Sequence, residues 1–249
     1  MLIVAIREKY LTFIRAKTDE TDAQLILDYT QRMAFLAWSP PREEVLSLQM
    51  ITRRIVQLKV ERTREINRLH AHGFRGDAPD VVGRDIEVHI RHLDRRLAHL
   101  EQKALEVVNA TPCLEAPFER LLSIPGIGPA SALRLLAELL VLPEDMQARQ
   151  WVAHAGLDPR PHDSGTSVHK APRITKTGNT YLRAALYMPA LVALQNQANI
   201  RAFYDKLIDA GKKPMQAVVA VMRKLLHTIF GILKHNQDFE GQKFYKMAA

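Results

Sequence analysis

The chain has 249 residues, 47% of them apolar and 25% charged, an ordinary globular mix with room for one or two domains and a sizeable core. Its 11 glycines and 13 prolines exclude a collagen-like or low-complexity chain, and a single cysteine, Cys113, excludes an intramolecular disulfide framework or a multi-cysteine zinc site. Lys and Arg number 35 against 27 Asp and Glu; the net charge of +8 and the pI of ≈ 9.7 point to a polyanionic partner, nucleic acid before membrane.

The lone cysteine fits a reducing, cytoplasmic setting. Met1 to Ile6 is apolar, but Arg7, Glu8 and Lys9 cut it short of a secretory signal. The longest apolar run, Ala184 to Leu194, contains Pro189 and falls short of the about 18 residues a spanning helix needs, so no membrane partner is expected. The chain reads mostly as helix, in three sections: 1–39, 40–110 and 111–249. In the first, Leu2 to Ile6 is a candidate strand. Thr21-Asp22-Ala23-Gln24 has capping-box spacing before Leu25, Ile26 and Leu27, so a helix is expected to begin near Thr18 to Thr21. Ser39-Pro40-Pro41 closes the section.

In the second section Leu48, Ile51, Ile55 and Leu58 alternate steps of three and four, continuing less cleanly to Ile66 and Leu69. After a loop with Gly73, Gly76, Pro79 and Gly83, the alternation resumes at Ile86, Ile90, Leu93, Leu97, Leu100, Ala104 and Val107. This predicts an antiparallel helical hairpin. It serves either as a projecting coiled coil, an arm or dimer surface, or as two helices packed on a globular core. His70, His72, His89, His92 and His99 lie along it without a zinc-binding pattern and are read as solvated.

The third section, entered at Pro112 and Pro117, holds most candidate functional residues. In Leu121 to Ala130 a helix ends, Gly126-Ile127-Gly128 turns, and Pro129 opens the next helix. Glycines leave the backbone bare, and the amides of such a turn can meet a phosphate; the same turn can equally serve packing alone. Next comes a Gly/Pro/Ser-rich loop from Ala155 to Ser167. Between Arg160 and Arg183, five basic residues (Arg160, Lys170, Arg173, Lys176 and Arg183) stand against Asp163. Ser164-Gly165 could set a hydroxyl beside a phosphodiester, with arginine forks neutralising developing charge, or be a solvated turn. Gly178-Asn179 predicts a turn before a helix from Thr180, with Lys176, Asn179 and Arg183 near its start placed for backbone phosphate contact, and Arg173 or Arg183 for neutralising phosphate charge beside Ser164. Tyr181 and Tyr187 are read as core. Asp19 and Asp22 share a helix face; they suit Mg²⁺ together with phosphate oxygens, or simply the positive end of a helix.

Taken together, Lys17-Thr18-Asp19-x-x-Asp22-Ala23, the long hairpin, Pro125-Gly126-Ile127-Gly128, Gly156-Leu157-x-Pro159, Ser164-Gly165 and Lys176-x-Gly178-Asn179-x-x-Leu182-Arg183 resemble, in the same order, the IS110 family of insertion-sequence transposases and the related Piv-type DNA invertases. The resemblance covers roughly residues 15–240. It implies a mainly α chain: a residual piece of a RuvC-like α/β domain in 1–39, an antiparallel coiled-coil hairpin in 40–110, and a helical C-terminal transposase domain in 111–249 with a helix-hairpin-helix motif. It also implies a recombinase with a nucleophilic serine, matched by Ser164, and an Asp-Glu-Asp-Asp Mg²⁺ site whose last two members match Asp19 and Asp22. DNA is the implied partner, joined in some members by a guide RNA from the element, and the composite site forms between protomers of a dimer or tetramer. The tetrad's first Asp and its Glu have no counterpart in the 18 residues before Asp19, so an N-terminally truncated transposase is expected. The competing expectation is a non-catalytic DNA-binding protein derived from such a transposase. A helix-hairpin-helix repair factor would leave Ser164-Gly165 and Lys17-Thr18-Asp19 without a role.

Overall fold

A computed structural model of the chain describes residues 19–32, 40–74, 79–164 and 168–247. It divides into two compact units, Met1–Pro40 and Pro41–Ala249. In the first unit, α1 (Asp19–Arg32) begins where the capping-box spacing predicted. Asp19, Glu20 and Asp22 lie in its first turn and Arg32 in its last, matching the helix macrodipole at both ends. Lys17, Thr18 and the expected strand Leu2 to Ile6 lie outside the described residues.

The second unit is mainly helical. It opens with α2 (Glu43–Gly73) and α3 (Asp80–Asn109). The two run antiparallel, because ion pairs advance along one helix as they retreat along the other: Lys59 with Glu101 at 2.7 Å, Arg62 with Asp94, and Glu65 with His89 at 3.6 Å. Val45, Leu48, Thr52, Ile55 and Leu58 are buried on α2 and face Leu93, Leu97, Ala104 and Val108 of α3. The periodicity holds to Leu58 and then departs from the sequence reading. Ile66 is exposed, and its neighbour Glu65 is buried instead, balanced by Arg68 and His89. On α3 the seam passes from Val107 to Val108, the drift expected when a 3.6-residue helix carries a 3.5-residue repeat. The two halves of the hairpin differ in burial. The root, up to Leu58 and from Leu93, is part of the common core, whereas from Lys59 to Arg91 only Glu65 is buried among the described residues.

Beyond the hairpin come α4 (Pro112–Leu122), α5 (Pro129–Leu139), α6 (Ala148–His154), strands β1 (Pro159–Ser164) and β2 (Val168–Ile174), then α7 (Thr180–Asn196), α8 (Ala198–Asp209), α9 (Pro214–His235) and α10 (Gly241–Phe244). The central piece is α9. Its length and hydropathy would let it cross a membrane, yet it buries Val221, Leu225, Leu226 and Ile229 completely inside the core. It ends at Asn236 in the left-handed conformation. Arg120 of α4 then clasps the following segment through Asn236 (3.1 Å) and Asp238 (2.6 Å), and Ser123 Oγ accepts the Phe239 amide at 2.9 Å.

Two sequence expectations are corrected here. The stretch read as a loop is an antiparallel hairpin, β1 against β2, with Ser164 opposite Val168, His162 opposite Lys170 and Arg160 opposite Arg173. Its prolines hid it. Pro161 and Pro172 fall in the irregular part of the ladder, where a residue without an N–H is tolerated. The second correction concerns Gly126, whose positive φ of 92° turns the chain inward. A Cβ there would stand 2.7 Å from Pro189 O and Ala193 N of α7. Ile127 is buried, and only Gly128, Pro129 and Ala130 are exposed. Gly126→Ala should therefore destabilise the protein by about 2–4 kcal/mol, while Gly128→Ala, with open space around it, should stay within about 0.5 kcal/mol; urea denaturation of both variants checks this.

Candidate functional site

The segments flanking the hairpin lock together. The Thr175 amide donates to Asp158 O (3.1 Å), the Lys176 amide to Gly156 O (3.1 Å) and the Asn179 amide to His154 O (2.7 Å), and Thr175 Oγ1 donates to the Asp158 carboxylate at 2.7 Å. Gly156 and Gly178, both at positive φ, allow this approach. A Cβ on Gly156 would lie 2.5 Å from Thr177 O, and one on Gly178 would run into His154 O. Lys176 also takes a left-handed conformation, unusual for a residue with a long side chain.

Beneath this joint lies a buried carboxylate. Glu138, on the apolar helix α5, is 2% exposed. Arg53 of α2 grips it with both arms of its fork, Nε to Oε1 at 2.7 Å and Nη2 to Oε2 at 2.8 Å. Asn179 Nδ2 donates to Oε2 at 2.6 Å and Gln49 Nε2 at 3.3 Å. Asn179 also caps α7, its Oδ1 accepting the Leu182 amide at 3.0 Å. Arg53 lies over the Tyr181 ring, 4.9 Å from its centre. Burial pushes the Glu138 carboxyl up, but hydrogen bonds from Arg53 and Asn179, with the charge of Arg53, outweigh it and hold the group below its ordinary value. Burial likewise keeps the His154 imidazole below its usual value, against the pull of Glu138, and lowers the Arg134 guanidinium one turn before Glu138. Every oxygen of Glu138 is occupied, so the cluster is an anchor rather than a reaction centre. It ties the root of α2, α5, the start of α7 and the base of the β hairpin into one block.

A family described as "Transposase IS116/IS110/IS902 family" matches residues 118–205, and a second, DEDD-type IS110 family described as "Transposase" matches residues 3–72. The pilin gene-inverting proteins of Moraxella bovis and Moraxella lacunata are each 30% identical over 228 residues, 91% of this chain and 69% of theirs. The chain belongs to the IS110/IS116/IS902 transposase family. The insertion element IS110 uncharacterized 43.6 kDa protein of Streptomyces coelicolor is 33% identical over 153 residues, 58% of this chain and 36% of its own. This membership sets the function among insertion-sequence transposases and recombinases, which act on DNA.

Within this transposase chain the expected site residues are spread out. Ser164 ends β1 at the end of the hairpin where the two strands are joined, five residues from Pro159 and so about 15 Å of strand from the anchored base. The side chains of Ser164, Lys170 and Arg173 lie outside the described residues. Arg183 was expected beside the serine. It stands instead at the hairpin base, its Nη1 donating to Ala155 O at 2.8 Å, because a loop turned by Gly156 needs its carbonyl satisfied. Asn179 is committed to the cap and to Glu138, whereas Lys176 is exposed. Of the Gly126-Ile127-Gly128 turn, the Gly128 end alone faces solvent. Tyr181 is partly buried under Arg53, but Tyr187, expected in the core, is 36% exposed. Asp19 is exposed and Asp22 partly buried in the first turn of α1; among the described residues no group of three or more His, Cys, Asp or Glu is placed to hold a metal.

Sequence reasoning missed Arg53, His154 and Glu138. The available signal was Glu138 itself, one acid in the otherwise apolar run Leu135 to Leu142, which demands a buried partner. Because the folded value of Glu138 lies below the ordinary 4.5, its contribution is complete above that value and is lost as pH falls through the lower, folded one. Wild-type stability should therefore fall below about pH 4.5 more steeply than that of Glu138→Gln, measured by urea denaturation from pH 3 to 7. At pH 7, Glu138→Ala should cost about 2–4 kcal/mol, the lower part of the range for a broken buried pair, since Arg53 is partly exposed.

Proposed function

We propose that this transposase chain cuts and rejoins DNA with Ser164 as nucleophile. The observation that carries the reading is the hairpin register. It pairs Ser164 with Val168 at the end of the ladder farthest from the anchored base, with Arg160, Lys170 and Arg173 along the same two strands. In the reaction the serine oxygen bonds to phosphorus, the serine proton is given up, and the P–O bond to one sugar breaks, releasing its hydroxyl. Attack by the hydroxyl of another strand reverses these changes and joins the strands without ATP. Arg173 neutralises charge on the phosphoryl oxygens. Arg183 keeps the hairpin base in place, and Lys176 with the Gly128 end of the turn holds flanking backbone, the role of a helix-hairpin-helix module.

Asp19 and Asp22, in a piece of a RuvC-like domain, would hold Mg²⁺. Two carboxylates one turn apart are the right donors for an ion that completes its shell with water and phosphate oxygens, and it would supply positive charge at the phosphate. A guide RNA of the element directs the chain to its target. The outer half of the α2–α3 hairpin, where Phe74 is 78% and Val81 70% exposed, joins protomers into a dimer or tetramer.

Wild-type protein mixed with Mg²⁺ and nicked or junction DNA should form a protein–DNA adduct that survives denaturing gels, and Ser164→Ala should form none while binding the same DNA within about threefold. An adduct from Ser164→Ala would overturn the serine assignment; no adduct from either protein would leave the DNA-binding reading. Phe74→Glu combined with Val81→Glu should shift the mass measured by light scattering toward the monomer.

A further inference from the structure

The solvent side of the α2–α3 hairpin also carries charge that the fold does not use. Asp94 and Glu101 of α3 are drawn to the seam by Arg62 and Lys59 of α2. Elsewhere α3 pairs its cations along its own surface: Arg84 with Asp80, Arg91 with Glu87, Lys103 with Glu106. Between these, His92, Arg95, Arg96 and His99 recur at three- and four-residue steps and share one face. With Arg54 of α2 and Leu100 they line a groove of about 380 Å³. Among the described residues no carboxylate lies within 4.0 Å of Arg95 or Arg96. Arg54 has Glu61 at 4.0 Å and also donates to Gln57 Oε1 at 3.0 Å, and His99 lies within the electrostatic reach of Glu106. Arg95 and Arg96 thus share the groove without an ion-pair partner among the described residues.

We propose that this groove binds the phosphodiester backbone of duplex DNA, as a site separate from the Ser164 hairpin. Cations kept adjacent without acids repel one another, a cost that a bound polyanion removes. The guanidinium fork matches phosphate oxygens in geometry as well as charge. From His92 to His99 the face runs about 10 Å at 1.5 Å per residue, the length of about three base-pair rises, so the groove follows a backbone rather than enclosing a single anion. Its lining contains no Phe, Tyr or Trp, the large rings on which single-stranded binders stack successive bases. Duplex contact through phosphates, without base reading, is the mode that fits these residues.

The test uses full-length protein and fluorescence anisotropy with a random-sequence DNA duplex of about 30 base pairs, from 50 to 200 mM salt. Replacing Arg54, Arg95 and Arg96 together by Gln should weaken binding at least tenfold at 100 mM salt and reduce the slope of log K against log salt by about 2–3. The Arg→Lys triple variant should keep most of the slope, and circular dichroism melting should show both variants folded. Replacing Arg64, Arg84 and Arg91 by Gln makes the same charge change elsewhere on the hairpin and should cost less than twofold. An unchanged slope in the first variant, an equal loss in the control, or a preference for duplex RNA of the same length would each overturn the proposal. Ser164→Ala should keep the full wild-type slope, so failure of the nucleophile assignment and failure of the groove are separate results.

Discussion

A carboxylate taken out of water must be matched by donors, and in this protein that requirement falls on Glu138. Its partners come from far along the chain: Arg53 is 85 residues away, Gln49 is 89 and Asn179 is 41. None can leave without exposing a buried charge to an apolar surround. The cluster therefore contributes less as net stability than as a fixed geometry. The root of α2, the middle of α5 and the first turn of α7 are held to one another by side chains of defined reach, and the loops on either side of the β hairpin are held to all three.

The glycine contacts complete that geometry at the backbone. Gly156 and Gly178 let the segments 154–158 and 175–179 close on each other, and Thr175, Lys176 and Asn179 supply the amides that seal them. Arg183 satisfies Ala155 O, the carbonyl displaced by the Gly156 turn. A strand pair emerging from such a base has its direction set before any residue at its far end is considered. A residue at that far end is thereby positioned by a scaffold remote from it. Gly126 does similar work farther off, pressing the α4–α5 turn onto the backbone of α7 at Pro189 and Ala193.

Much of the helical framework was legible from periodicity, because Leu48, Ile55 and Leu58 or Leu93 and Leu97 repeat at the spacing of a buried face and no competing pattern interrupts them. What failed did so for identifiable reasons. Ile66 continued the apolar series on paper, but beyond Leu58 the hairpin leaves the common core, so periodicity ceased to mean burial. The β hairpin was hidden because Pro161 and Pro172 break the alternation that marks a strand. Gly-x-Gly spacing shows that a turn is tight without showing which side packs, and here Gly126 faces α7. The Arg53–Glu138 pair was invisible because no local pattern links residues 85 positions apart. Arg183 could be seen as basic, yet only the fold shows that it ends on Ala155 O at the opposite end of the hairpin from Ser164.

The uneven use of charge links these parts. With 35 basic against 27 acidic side chains, a fold that paired every acid would still leave cations over, and where they are left is informative. Acids concentrate where packing needs them: Glu138 under the anchor, Asp94 and Glu101 across the hairpin seam, Asp238 at the clasp on α4. Cations remain where packing makes no demand, in the Arg54–Arg96 groove and at Lys176 beside the anchored joint. A chain selected only for solubility would intersperse both signs over its surface. Segregation of this kind concentrates positive potential along particular faces, which raises the local concentration of a polyanion before any specific contact forms. The same helices thus serve two ends: the inner faces of α2, α3 and α7 are spent on rigidity, and the solvent side of α2 and α3 keeps the unpaired cations.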